Sequence, residues 1–511
     1  MKELSIGVHY EPSGVDPHIG SAELALQMTN AVFDTLVVKS ADGSYLPGLA
    51  ERFEVSEDQC NYTFHLRGQV RFHDGTPLDA EAVAFSLRRA FDPANKSQLA
   101  RGMLGPFRTA YAVDEHVVAI ELDRPYGMIL DALSQAWLAP VSPAAVAKLE
   151  ADFARQPVGT GPFIFDHWAA GQHIVLRRNP DYNWGPSNCA NRGPAHIDQL
   201  RFVFLSDGHA RAKALQNGDL DAVFYVPPDA VAGLRADPRF CVEIWPIRGV
   251  PVCLMMNIAQ TPTDDLLVRK AINHAIDQDA LVEEVFKNEF RRAYGPVSQF
   301  TLGYTSSVET FYPHDLNKAR AYLDRAGWKT ATADAIRTKN GEALKLKFYA
   351  LPVNFYPEFG EIVTRQLRQV GIEVEVVLLN PLDWIAAGKR GDHHLIPQGK
   401  YGSSAQLMSF VYHSRHSGPQ GYGWTKRTAQ HCPRLDAILE TAEQAITPDA
   451  FVAATAEAQE IVMDEALIAP LHCNTNIVAM RKQVRGLQFD AIGAYPLVHD
   501  ITIMADDGDA G

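Results

Sequence analysis

The sequence predicts a mixed α/β protein of several lobes, and three observations predict it. A chain of 511 residues is too long for one compact core. Helical and strand-like hydrophobic patterns alternate along it, without heptads, short repeats or low-complexity tracts. The stretch from Pro357 to Leu379 reads as a helix, then Gly371, then a β-branched run, which is an α/β crossover unit.

The elements follow in order. Glu23 to Val37 carries an apolar stripe at helical spacing. Asn61 to Arg67 alternates with period two and reads as a strand, and His73 to Thr76 (HDGT) reads as a tight turn. Leu78 to Phe91 reads as a helix with Asp79 as its N-cap. His116 to Asp123, His173 to Asn179 and Gln199 to Leu205 read as strands. Thr263 to Phe286 reads as one long helix, and Asn317 to Ala326 as a short one stopped by Gly327. Leu344 to Ala350 is a strand, Pro357 to Val370 a helix and Ile372 to Leu379 a strand. Asp449 to Glu465 is a late helix.

Composition narrows the function classes. A net charge of −14 repels nucleic acid and anionic lipid, so neither is an expected partner. No apolar run approaches the ~20 residues that span a bilayer, so no membrane insertion is expected. The strand-like alternation begins at once in MKELSIGVHYEP; for a secreted chain, the basic, apolar leader is expected to have been removed and Met1 to stand in its place. Six cysteines stand at 60, 189, 241, 253, 432 and 473, and no CxxC is present. Cys241 and Cys253 flank a strand–turn–strand and are placed to pair across it; buried free thiols are the weightier reading.

Motifs of chemistry are absent. There is no GxxxxGK[ST], HExxH or GxSxG. VGTGPF (Val158 to Phe163) lacks the third glycine of a nucleotide cradle, and Pro162 would interrupt a helix opening there, so it reads as a turn. His393, His394, His413 and His416 invite a metal reading, but adjacent residues of a strand face opposite ways, so hydrogen-bonded histidine is favoured and no metal or cofactor is expected. Trp384, Tyr401, Phe410, Tyr412, Tyr422 and Trp424 lie among glycines and serines. Rings on such loops suit a pocket wall, and packing on the core is an equal alternative.

An ordered set of segments says more than any one motif. VFDTLV (Val32 to Val37), the run from Leu49 to Phe91, VGTGPF, RNPDYNW (Arg178 to Trp184), LQNGDLDAV (Leu215 to Val223), Met256 to Asp277 and Asp315 to Trp328 follow one another along the chain. Together they closely resemble the family 5 extracytoplasmic solute-binding proteins of ABC importers, the peptide, nickel and opine group, from about residue 4 to 500. The resemblance implies a periplasmic-binding-protein type II-like α/β fold, two main lobes closing on a ligand plus an inserted lobe. Lobe I would combine 1–40, 160–255 and 476–511, lobe II would be 41–159 and lobe III 256–475. It also implies a periplasmic monomer that hands a small-molecule or peptide ligand to ABC importer permease subunits.

The ligand is less defined. Dipeptide-binding relatives carry an aspartate for the peptide ammonium and an arginine for its carboxylate. The matching stretches here, Gly399 to Phe410 and Leu351 to Pro357, hold no acid in the first and Asn354 and Phe355 in place of the arginine. A buried charge without its partner is costly, so a dipeptide held by both charged ends is disfavoured. A longer peptide held through its backbone, or a non-peptide solute such as an opine, a sugar conjugate or a modified amino acid, remains open. By analogy Tyr401, Ser403, Ser404, Tyr422 and Trp424 would line the pocket, with Asn354 and Phe355 behind them in rank. The rival from another class is a hydrolase using the same cleft, against which stands the lack of a recognisable nucleophile–base pair.

Overall fold

The computed structural model describes residues 2–19, 26–40, 42–95, 98–332, 335–352, 355–416, 432–445 and 447–505. The chain divides into two compact units, 1–245 with 476–511, and 246–475. No helix among the described residues is long and apolar enough to cross a membrane.

The first unit is built on a seven-stranded sheet. From edge to edge its strands are Phe240–Pro246, Thr475–Arg481, Ala222–Val223, Glu3–Val8, Gln199–Phe204, His173–Arg178 and Phe163–Ala169. Glu3–Val8 runs parallel to Gln199–Phe204 and to Ala222–Val223. Leu4, Ile6, Phe202 and Val478 of this sheet enter the unit's core, which excludes water from their side chains. The same unit holds a four-stranded antiparallel sheet, ordered Ala50–Val55, Asn61–Leu66, Val117–Leu122 and Phe107–Asp114, against which the Ala80–Phe91 helix packs. That helix starts where the sequence places it, with the Asp79 carboxylate accepting from the Ala82 N–H at 2.8 Å.

The second unit is built on a five-stranded sheet, ordered Glu373–Leu378, Lys345–Ala350, Leu395–Tyr401, Gly249–Met256 and Ile468–His472. Lys345–Ala350 and Glu373–Leu378 are parallel and joined through the Tyr356–Arg368 helix, the crossover that the sequence predicts. Gly371 ends the helical segment at φ +84, where a side chain would be strained. The chain passes between the units at 245/246 and at 475/476. Beside these crossings the Ile247 N–H donates to the Asn474 carbonyl at 2.9 Å.

Two elements differ from expectation. Thr263 to Phe286 is two helices, Leu266–Ala275 and Gln278–Phe286. Ile276 and Asp277 adopt extended ψ values, and Asp277 caps the second helix through the Ala280 N–H. An N-cap carboxylate competes with helix continuation, and here it wins. The helix expected from Glu23 to Val37 is described only as Leu26–Val32, and Val37–Lys39 is a strand. The Val32 carbonyl accepts from the Gly161 N–H at 2.8 Å instead of continuing its own helix.

Of the two readings of Cys241 and Cys253 the weightier one holds, that of free thiols, and the pairing does not form, since all six cysteines are free. Phe240–Pro246 and Gly249–Met256 do not form a hairpin; they belong to different sheets. Cys241 packs against the core of the first unit and Cys253 lies within that of the second.

Candidate ligand-binding site

In open α/β sheets, ligands bind beyond the carboxyl ends of the parallel strands. In the second unit those ends are Ala350, Leu378 and Tyr401. Lys345–Ala350 and Leu395–Tyr401 are neighbouring parallel strands, so the fold brings two separated candidate segments to one sheet edge. Phe355 follows the first strand, and Ser403 and Ser404 follow the second. Tyr401 is half-buried beside Gly249 of the antiparallel neighbour, while both serines are buried. Phe355 is half-buried, with its ring 4.8 Å from that of Phe286. Phe286 stacks on Phe290 at 4.1 Å and meets His472 at 4.5 Å. Asn354, Tyr422 and Trp424 lie outside the described residues.

Around this edge several buried polar atoms have no hydrogen-bond partner among the described residues. They are Oε1 of Gln398, both amide atoms of Gln406, Oγ of Ser404 and Nε2 of His472. Each of these four residues is more than nine-tenths buried. Buried polar groups are almost always satisfied, so these atoms call for partners beyond the described residues. Burial lowers the His472 pKa to about 4, which leaves a neutral ring. The signal for the glutamines was available: QGKYGSSAQ brackets the candidate tyrosine and serines with two amides in an apolar setting.

The histidines proposed for metal do not converge. His394 accepts the Lys347 N–H through Nδ1 and contacts the Thr261 carbonyl through Nε2. His413 faces Asp436 and Glu440, and Nε2 of His416 accepts from Arg415. His393 is buried. Among the described residues no three histidine, cysteine or carboxylate groups are gathered to hold a metal ion. Of the aromatic cluster, Tyr412 is a buried core ring and Trp384 packs on the same core, so these two fit the packing alternative.

The first unit presents its own carboxyl edge. His9 and Tyr10 follow Glu3–Val8, and Tyr225 follows Ala222–Val223. The His9 ring lies 4.4 Å from both tyrosines. Burial, and then the Arg211 charge, lower the His9 pKa to about 3. Arg211 is buried beneath this edge and donates to the carbonyls of Leu205, Ser206, Phe224 and Tyr225. Tyr225 has φ +54, a strained conformation for a tyrosine, and its N–H donates to Oδ1 of Asn476 at 3.2 Å. Nδ2 of Asn476 is buried and has no hydrogen-bond partner among the described residues. Sequence reading missed this group because its members stand some 200 residues apart and carry no shared motif.

A cavity of about 60 Å³ in the first unit is lined by Asp34, Trp137, Trp184, Asp490, Tyr495 and His499 among others. None of the four described candidate residues, Tyr401, Ser403, Ser404 and Phe355, lines it. Its polar floor is made by the family-like motifs. Asp34 accepts from Tyr182 at 2.9 Å, from Thr160 at 2.9 Å and from the Trp184 indole at 3.1 Å. Burial raises the Asp34 pKa, against the pull of His499 and those three donors. VFDTLV, VGTGPF and RNPDYNW thus meet at one carboxyl group.

Comparison with known proteins agrees with this architecture. The family model for bacterial extracellular solute-binding proteins, family 5 Middle, matches residues 44–422. A probable di/tripeptide-binding protein 5 from Pseudomonas aeruginosa (strain UCBPP-PA14) is 27% identical over 96% of this chain and 94% of its own. The glutathione-binding protein GsiB of Escherichia coli O1:K1 / APEC is 28% identical over 74% of this chain and 70% of its own. The crystal structure of NikA from Brucella suis in complex with Fe(III)-EDTA superposes with a TM-score of 0.87, at 24% identity, over 98% of this chain and 99% of that one. The chain belongs to the bacterial extracellular solute-binding proteins, family 5.

Proposed function

We propose that this protein is the periplasmic receptor of an ABC importer and captures a peptide or peptide-like solute through its backbone amides. The observation that carries the peptide reading is the amide and hydroxyl set of Gln398, Gln406 and Ser404 at the carboxyl edge of the second unit, which has no partner for these atoms among the described residues. A carboxamide offers one donor face and one acceptor face, the complement of a peptide bond. By the family resemblance, Tyr401, Ser403, Tyr422 and Trp424 would supply the rest of the wall, with Asn354 and Phe355 ranked behind them. The relative named for di- and tripeptides supports the same class.

Capture needs a closed state stabilised by ligand contacts, and the two chain crossings serve as its hinge. In this reading 41–159 acts as an inserted lobe of the first unit, the protein works as a monomer with its leader removed, and its partners are the permease subunits. Binding without turnover is the expected behaviour, because the matched family is one of binding proteins.

Native mass spectrometry of protein purified without refolding tests the ligand class. A co-purified peptide mass, together with a ligand-dependent fall in radius of gyration, is the expected result. An opine or sugar-conjugate mass would replace the peptide reading, and hydrolysis of the bound solute over hours would replace the binding reading. No compaction with any member of a peptide, opine and sugar-conjugate library would remove the capture mechanism.

A further inference from the structure

We propose that His167 and His173, with Asp166 behind them, form a two-histidine site for a divalent transition-metal ion such as Zn²⁺ on the Phe163–Arg178 hairpin. The site stands at the carboxyl edge of the first unit, in register with Val203 and Gly7 and two strands from the His9 group, and does not depend on the ligand class.

The hairpin register brings the two rings together. His173 stands opposite Ala169 and His167 opposite Val175, so the histidines are diagonal neighbours on one face. Their Nε2 atoms are 3.4 Å apart, with ring planes at 81°. Two imidazoles bound to one tetrahedral zinc at about 2.0–2.1 Å would hold their nitrogens roughly 3.4 Å apart. The 3.4 Å contact is a long, weak hydrogen bond between the rings, and it is also the spacing that one shared ion would set.

A second observation comes from Asp166. Its Oδ2 lies 2.8 Å from Nδ1 of His167. That contact holds the proton on Nδ1 and leaves the Nε2 lone pair directed at His173, the arrangement that carboxylates impose on metal-bound histidines. Neighbouring residues of a regular strand point to opposite faces, which would separate Asp166 from the His167 ring. Here the register shifts between Phe165 and His167, and this bulge re-aims the carboxylate. The nearby cation, Arg201, is paired with Glu3 at 2.9 Å, so its charge is offset. More than half of the His167 side chain is exposed, and water would complete the coordination.

The test is calorimetric titration of chelator-stripped, desalted protein with zinc chloride. One equivalent of zinc is expected whose affinity falls at least tenfold in His167→Ala and in His173→Ala, and by about 10–100-fold in Asp166→Asn. Far-UV circular dichroism and thermal melting establish that each variant is folded, and His167→Gln with His173→Gln provides a second pair that keeps polarity on the hairpin. An isotherm that the double variants leave unchanged, or no zinc equivalent in the parent protein, overturns the site. An unchanged affinity in Asp166→Asn overturns the role of the carboxylate.

Discussion

At the scale of single residues, the segments that identify the family and the residues proposed to hold the ligand are different sets. Asp16 and Arg89, from two widely separated segments, form a buried bidentate pair at 2.6 and 3.0 Å, and Arg89 also donates to Nδ1 of His18. Asp34 does the same work for three further motifs. These side chains fix the scaffold, so Asp34→Asn should leave an amide donor facing the Tyr182, Trp184 or Thr160 donors. A loss of about 1–3 kcal/mol in urea unfolding is expected, the cost of a buried donor without an acceptor. Unchanged stability would mean that the network rearranges freely. The contrasting case is Trp424, placed in the pocket by resemblance alone. Trp424→Ala should weaken solute binding by roughly 1–3 kcal/mol with little effect on unfolding, as buried aromatic anchors do. Unchanged affinity in a folded variant would remove it from the site.

At the scale of elements, what was legible depended on whether the decisive contact was local. The Ala80–Phe91 helix was legible because its cap, Asp79, precedes it in sequence. The crossover through Tyr356–Arg368 was legible because helix, glycine and strand follow without interruption. The early helix was over-extended because its end is set by Gly161, about 130 residues downstream. At Gly159 and Gly161 an added Cβ would lie 2.1 and 2.6 Å from Val32 backbone atoms, so these glycines permit a close backbone approach and not a phosphate cradle. Gly249 plays the comparable part at the candidate edge. It has φ +121, and a Cβ there would lie 2.1 Å from the Lys400 carbonyl oxygen and 2.7 Å from the Gly402 nitrogen. Gly249→Ala should therefore cost more than ~1 kcal/mol of stability and disturb the strand end that carries Tyr401. Gly75→Ala is the control, since Gly75 also has positive φ but nothing within 4 Å. Equal losses in the two variants, measured by urea unfolding and solute affinity, would assign the effect to backbone strain alone.

At the scale of the whole molecule, the sequence revealed the class of fold, while the polar groups that matter most came from burial. The glutamines and His472 of one edge, and His9 and Asn476 of the other, look ordinary in sequence and become distinctive only when their neighbours exclude water. The same burial makes stability depend on pH. Burial lowers the pKa values of His18, His73 and His472 to about 4, and with Arg211 it lowers that of His9 to about 3. Each is neutral in the folded protein at pH values where an exposed histidine, with a pKa near 6.5, takes up a proton. Stability from these groups is complete above about pH 6.5 and is lost as pH falls towards 4, because the unfolded chain binds protons that the folded one does not. Asp490 opposes them: burial raises its pKa to about 6, so its contribution grows as pH falls through that value. Asp34, also raised by burial, acts in the same sense as Asp490, and His416, lowered to about 4, acts with the histidines. Each group contributes a slope of at most ~1.4 kcal/mol per pH unit, and the five histidines outweigh the two aspartates. The urea midpoint should therefore fall steadily between pH 7 and 4.5, less steeply in His472→Gln and more steeply in Asp490→Asn. A midpoint that stays level or rises over that range would show that these histidines are protonated in the folded protein, which would also place charge at the two sheet edges where neutral rings are described.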